Sequence, residues 1–206
     1  MRYDRIVTFG CSIPFGHGLV DCIQEDMNSP GKFPSNFSYP ALLAQKLNIV
    51  NLNLSRTGSS IKEACYNIYN FKFSKNDLVL ASWSFTERTC IIEDDTDPHI
   101  IGTWCPDNRS KLYYKNFYTK SEEQYNTEMN VQWANLYLNS LGVDLINIPV
   151  QTDFFDVFKF RNLKIYATET INSGDFFVDH ALDIKHPGEQ SHIGYSDYLY
   201  NKVISI

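Results

Sequence analysis

The chain has 206 residues, 43% of them hydrophobic, with 18 Lys and Arg against 24 Asp and Glu for a formal net charge of −6. That length suits one domain with its own core, and the apolar content excludes a disordered chain. An acidic chain without a basic stripe predicts no nucleic-acid partner and no anionic-membrane partner.

No window reaches the apolar length of a membrane span, and the start "MRYDRIVTFG" shows neither a long apolar region nor a small-residue cleavage site. A cytoplasmic location without a signal peptide is the expectation. The five cysteines, Cys11, Cys22, Cys65, Cys90 and Cys105, are odd in number and form no C-x-x-C pair. This predicts a reducing compartment, with neither a disulfide framework nor a structural zinc site.

In chain order, "DRIVTF" (4–9), "NIVNLNL" (48–54), "DLVLAS" (77–82), "VDLINIPV" (143–150) and "NLKIYAT" (162–168) are short, nearly continuous apolar runs. Such runs predict strands covered on both faces. Helical patterns lie between them. "YPALLAQKL" (39–47) carries Pro40 in its first turn, and 59–71 opens on serines that can cap, with Glu63 close behind. The longest pattern runs over 121–141, with Ser121 as cap, Tyr125, Met129, Trp133 and Leu136 at helical spacing, and Gly142 as stop. A last helix fits 194–204, where Tyr195, Leu199 and Val203 recur every four residues. Strands alternating with helices predict a three-layer α/β/α sandwich around a five-stranded parallel sheet, as one domain over 1–206. Two stretches break the alternation, 20–38 and an irregular insertion at about 90–120. Connections of that length tend to be functional or mobile.

In an open parallel sheet ligands bind beyond the carboxyl ends of the strands. Ser12 in "FGCSIPFGHG" follows the first strand, Gly58 in "NLSRTGSS" follows the second, and Ser84, Thr86 and Arg88 in "SWSFTERT" follow the third. Asp183 and His186 in "DIKHP" precede the last helix and reach the same edge. A serine hydroxyl is a weak nucleophile until a base takes its proton; His186 is a base, and Asp183 three residues earlier can orient it. Backbone N–H groups at Ser12 and Gly58 can face a developing oxyanion. Residue 14 is proline, so the G-x-S-x-G elbow is not present.

"FGCSIPFGHG" resembles the first block of the SGNH (GDSL) hydrolases, F-G-D-S-L-x-x-G-x-G, with Cys11 in place of Asp and Ile13 in place of Leu. "NLSRTGSS" is similar to the second block, and "DIKHP" to the D-x-x-H-P of the last. His192, six residues on, also follows a common pattern. The resemblance spans residues 4 to 204. It implies a flavodoxin-like fold and ester hydrolysis through an acyl-enzyme on Ser12, with His186 and Asp183 completing a triad. It also implies an oxyanion hole of Ser12 and Gly58 N–H groups, no cofactor and no metal. The implied substrate is a small acyl ester or an acylated glycan, such as an O-acetyl sugar. The third block departs: the family's oxyanion Asn is missing from "SWSFTERT", leaving Ser84 or Thr86 to stand in. That W-S…R form resembles tailed-phage members, which implies a host cytoplasm or a virion.

Rival readings stand beside these. Cys11, adjacent to Ser12, is a second candidate nucleophile. The domain could instead be a binding or virion-associated structural module that kept the fold without turnover. His180, His186 and His192 are spaced by six, which is not a helical ligand spacing. His17 and His99 read as loop residues. Arg88 and Trp104 are candidate substrate contacts, and Arg56 also follows a strand at the active edge. The insertion's aromatics, Trp104, Tyr113, Tyr114 and Tyr118, predict either a wall of the site or, alternatively, a cover over a helix or a contact between subunits.

Overall fold

The computed structural model describes residues 2–26, 29–93, 97–150, 169–170 and 177–205. Its main sheet holds β1 (Arg5–Phe9), β2 (Val50–Asn53), β3 (Asp77–Trp83), β6 (Asp144–Pro149) and β7 (Glu169–Thr170), in the order β2-β1-β3-β6-β7 and parallel throughout. Four strands are full-length. The fifth place is held by the two residues of β7, and the strand predicted over 162–168 lies outside the described residues. β2 is an edge strand with Val50 62% exposed, so its apolar run is not covered on both faces.

Alternation along the strands divides the core in two, because successive side chains point to opposite faces. Val7, Phe9, Val79, Ala81, Trp83 and Leu145 face α3 (Ile61–Asn70) and α5 (Lys120–Ser140). Ile6, Leu78, Leu80, Ile146 and Ile148 face α2 (Tyr39–Leu47) and a last helix, α6 (Glu189–Val203). At the opposite edge from the site, Arg5 grips the buried Asp77 with two bonds of 2.6 and 2.8 Å and so pins β1 to β3.

Some element ends follow the sequence expectation and others differ. Ser60 caps α3 by accepting from Glu63 N–H. Thr119, not Ser121, caps α5, and Gly142 follows that helix at φ 67. α6 begins at Glu189, five residues before the expected start, because its first turn is polar and carries no apolar period. The insertion is not irregular: it holds an antiparallel hairpin, β4 (Thr89–Ile91) with β5 (His99–Ile101), and then α4 (Asn108–Asn116), capped by Asp107. A four-residue helix, α1 (Ser12–Phe15), follows β1 directly. Among the described residues no helix is long and apolar enough to cross a membrane.

His192 joins two layers. Its ring sits on α6, and its Nδ1 accepts from the Tyr39 N–H at the start of α2, at 3.0 Å. Burial, opposed by the Asp179 charge and reinforced by His186, pushes its pKa down to about 4. The unfolded chain protonates this ring near pH 6.5, so it holds more protons than the fold between pH 6.5 and 4. Stability from this residue is therefore complete above that window and falls as pH drops through it, by on the order of 3 kcal/mol. Urea unfolding at a series of pH values checks this. The His192→Asn protein, which keeps an acceptor for Tyr39, should show a flatter decline. Equal slopes in the two proteins would sink the assignment.

Candidate active site

The site is assembled where β1, β2 and β3 end. Cys11 leaves β1 as the N-cap of α1 and Ser12 opens that helix, so the Ser12 N–H is one of the helix's unpaired leading donors. The Ser12 hydroxyl lies 2.8 Å from His186 Nε2, and His186 Nδ1 lies 2.5 Å from Asp183 Oδ2. The other Asp183 oxygen accepts from the backbone N–H groups of Lys185 and His186, at 3.0 and 3.1 Å. Burial pushes the Asp183 carboxyl up, but the His186 ring and those two N–H donors outweigh it and hold it below the usual carboxylate range. Asp183 is thus ionised at neutral pH. A His186 ring that donates from Nδ1 to it presents a bare Nε2 to the serine hydroxyl.

The turn that carries this pair is tightly held. Ala181 N–H donates to His186 O and Leu182 N–H to Gly18 O. Ile184 sits at φ 61, left-handed backbone that a β-branched residue rarely adopts. Gly18, at φ 89, packs so closely beneath the turn that a Cβ there would lie 2.8 Å from Asp183 Oδ1. His17 was read from the sequence as a loop residue, yet its ring lies 4.5 Å from the His186 ring and its Nε2 4.0 Å from Asp183 Oδ2. A lone histidine between glycines gives no periodic or spacing signal that would have marked it.

A cavity of about 570 Å³ opens beside Ser12, lined by His17, Gly58, Arg88, Trp104, Lys185 and His186 among others. Gly58 is left-handed at φ 77, and its N–H makes no hydrogen bond among the described residues. Ile100 and Trp104 of the insertion pack over it. Arg56 secures that loop from behind, 2.7 Å from the buried Glu63 and 2.7 Å from the Pro98 carbonyl, so it is not a cavity group.

Other candidates sit elsewhere. Ser84 is buried behind Arg88, its hydroxyl accepting from the guanidinium at 3.2 Å. Neither Ser84 nor Thr86 lines the cavity, which corrects the expectation that a hydroxyl from this block faces the oxyanion position. Among the described residues no Asn or Gln lines it either; Asn53 donates to Pro14 O instead. Cys11 is fully buried and off the cavity wall, because neighbouring side chains at a strand end point apart, so it is Ser12 that faces His186. Tyr114 meets Tyr113 edge-on and Tyr118 at a tilt, and its hydroxyl donates to Glu87 O; none of the three lines the cavity, which leaves Trp104 as the aromatic wall. His180 packs on Phe177, and His192 is buried in the helix layer. Among the described residues His17, Asp183 and His186 form a group whose ligand-type atoms lie within 4.8 Å of one another, but Asp183 and His186 are already committed to each other and to Ser12.

No family model and no curated protein sequence matches this chain. Solved structures do match in fold. A carbohydrate esterase, described as having an active site with divergent catalytic and non-catalytic binding functions, superposes at TM-score 0.66 with 11% identity, over 100% of this chain and 65% of its own. A protein of the G-D-S-L family from Desulfitobacterium hafniense gives 0.58 at 12% identity, over 97% and 99%. An acetyl xylan esterase from the rumen bacterium Butyrivibrio proteoclasticus gives 0.58 at 13%, over 98% and 64%. This chain therefore spans about two thirds of the length of the two carbohydrate esterases and nearly all of the G-D-S-L protein. At these identities the likeness establishes one thing: the chain has the α/β fold of the SGNH (GDSL) hydrolases.

Gly18→Ala tests how the turn is held. The new methyl meets Asp183 and Ala181, and the backbone angle disfavours any L side chain. The expected cost is about 2 kcal/mol of unfolding free energy. A variant as stable as the parent, with the Ser12–His186 spacing unchanged in its crystal structure, would show that the close approach is not a constraint.

Proposed function

We propose that this SGNH-fold protein is a serine ester hydrolase. The observation that carries the reading is the unbroken hydrogen-bond chain from Ser12 through His186 to an ionised Asp183, opening onto a cavity. Ser12 Oγ attacks the ester carbonyl while His186 Nε2 takes its proton. Asp183 stabilises the imidazolium and fixes the ring. The oxygen that gains charge accepts from the N–H groups of Ser12 and Gly58. His186 then returns the proton to the departing alcohol, leaving an acyl-Ser12. A water enters by the same route in reverse, the ester is hydrolysed, and the acid departs. The chemistry uses no cofactor.

The fold neighbours that act on acylated sugars, the carbohydrate esterase and the acetyl xylan esterase, support an O-acyl glycan as the substrate. The half-exposed Trp104 ring at the cavity wall supplies a face on which a sugar can stack. A second reading, binding without turnover, is favoured by one feature: among the described residues no side-chain amide and no hydroxyl of Ser84 or Thr86 lines the cavity. One missing oxyanion donor costs about 10²- to 10³-fold in rate.

Fluorophosphonate labelling and hydrolysis of 4-nitrophenyl acetate separate these readings. The parent should label on Ser12 and turn over. Ser12→Ala should lose the label and at least about 10³-fold in kcat, and Cys11→Ala should retain most of both. A folded parent that neither labels nor hydrolyses the ester sends the assignment to the binding module; label on Cys11 sends it to the cysteine.

A further inference from the structure

Among the described residues Arg88 has no counter-ion within ion-pair distance. Its guanidinium is clamped between two rings, 4.3 Å from the Phe85 centroid and 4.4 Å from that of Trp104. One terminal nitrogen is tied to the neutral Ser84 hydroxyl, and Nε is buried with no hydrogen-bond partner. Among the described residues no carboxylate comes within ion-pair distance of it. Burial lowers its pKa, the signature of a charge held partly out of water. A desolvated, unpaired cation is costly unless an anion completes it. Arg88 nevertheless forms the wall of the cavity that contains Ser12, with Lys185 at the same cavity. The cavity's carboxylate, Asp183, is already spent on His186 and two backbone N–H groups. In a chain of net charge −6, this cavity gathers the positive charges of Arg88 and Lys185, neither of which has an ion-pair partner among the described residues.

We infer that the cavity selects a carboxylate-bearing ester, an O-acylated acidic sugar, whose carboxylate pairs with Arg88. The planar guanidinium fork suits a carboxylate, and the rings on either side hold it ready before substrate arrives, so little ordering remains to be done on binding. The Trp104 ring that stacks on Arg88 also packs over Gly58. The anion site therefore adjoins the position proposed for the acyl carbonyl. Substrate choice then lies in the turn after β3 and in the insertion, rather than in Ser12 and His186.

The inference rests on the hydrolase reading, and the test separates the two by measuring binding as well as turnover. The probes are an O-acetylated methyl galacturonoside as the free acid and as its methyl ester, which differ by one charge. In the Ser12→Ala protein, calorimetry at about 20 mM salt should show the acid binding about tenfold tighter or more, with the gap narrowing at about 500 mM. Arg88→Gln should erase the gap and Arg88→Lys should keep part of it. Lys75→Met, which removes an exposed lysine remote from the cavity, should leave it intact. Equal binding of the two forms, binding of neither, or a gap that survives Arg88→Gln overturns the inference. If Arg88→Gln does not fold, a gap unchanged by both Arg88→Lys and salt overturns it instead. Inorganic phosphate displacing the acid at lower concentration than acetate does would overturn the choice of a carboxylate. Acid preference in binding, with no acetate released from either probe by the parent protein, leaves the inference standing and overturns the hydrolase reading.

Discussion

The buried negative charge of Asp183 is the constraint around which the site is arranged. A carboxylate with 8% of its residue exposed must be compensated, and here three N–H donors do so, two from backbone and one from the His186 ring. Each donor comes from the turn that follows, so satisfying the charge also dictates the turn's shape. Asp179 acts similarly one step earlier, accepting from the N–H groups of Gln190 and Ser191 at the start of α6. The segment between the two aspartates is thereby fastened at both ends, and the His186 ring has little freedom. The exposed Ile184 in left-handed backbone fits this account, since local strain of about 1–2 kcal/mol persists where surrounding bonds over-determine the chain.

The sheet supplies the rest by topology alone. Parallel strands deliver every carboxyl end to one edge, so β1, β2 and β3 bring Ser12, Gly58 and Arg88 together though they lie far apart in sequence. The division of labour follows. The deeply buried strands β1, β3 and β6 hold the frame, while the half-exposed edge strand β2 and the insertion shape the cavity. The Arg56 contacts with Glu63 and Pro98 couple these two cavity-shaping parts.

Legibility in the sequence tracked how much periodic apolar signal each element carries. β1, β3 and β6 are continuous apolar runs and were readable, as were α2, α3 and α5. The β4–β5 hairpin has three residues per strand, too few for a period, and α4 reads "NRSKLYYKN", almost wholly polar. The first turn of α6, "EQSH", is polar as well, so its start carried no apolar signal even though Ser191 and His192 are buried. Ser12, Gly58, Asp183 and His186 could be picked out because motif and strand order point to one edge. His17 could not, since only the fold of the glycine turn brings it beside His186. The role of Arg88 was half visible. Its place after β3 was plain, but its clamp between Phe85 and Trp104 needs coordinates from two separate loops.

The bond between Ser12 and His186 spans 174 positions of the chain. On the ribosome, at about 5–20 residues per second, the serine emerges roughly ten to thirty seconds before its partner is even synthesised. Throughout that interval the hydroxyl is an ordinary alcohol with no base beside it. The order of residues along the chain thus leaves the Ser12–His186–Asp183 hydrogen-bond chain unformed until most of the polypeptide has been made.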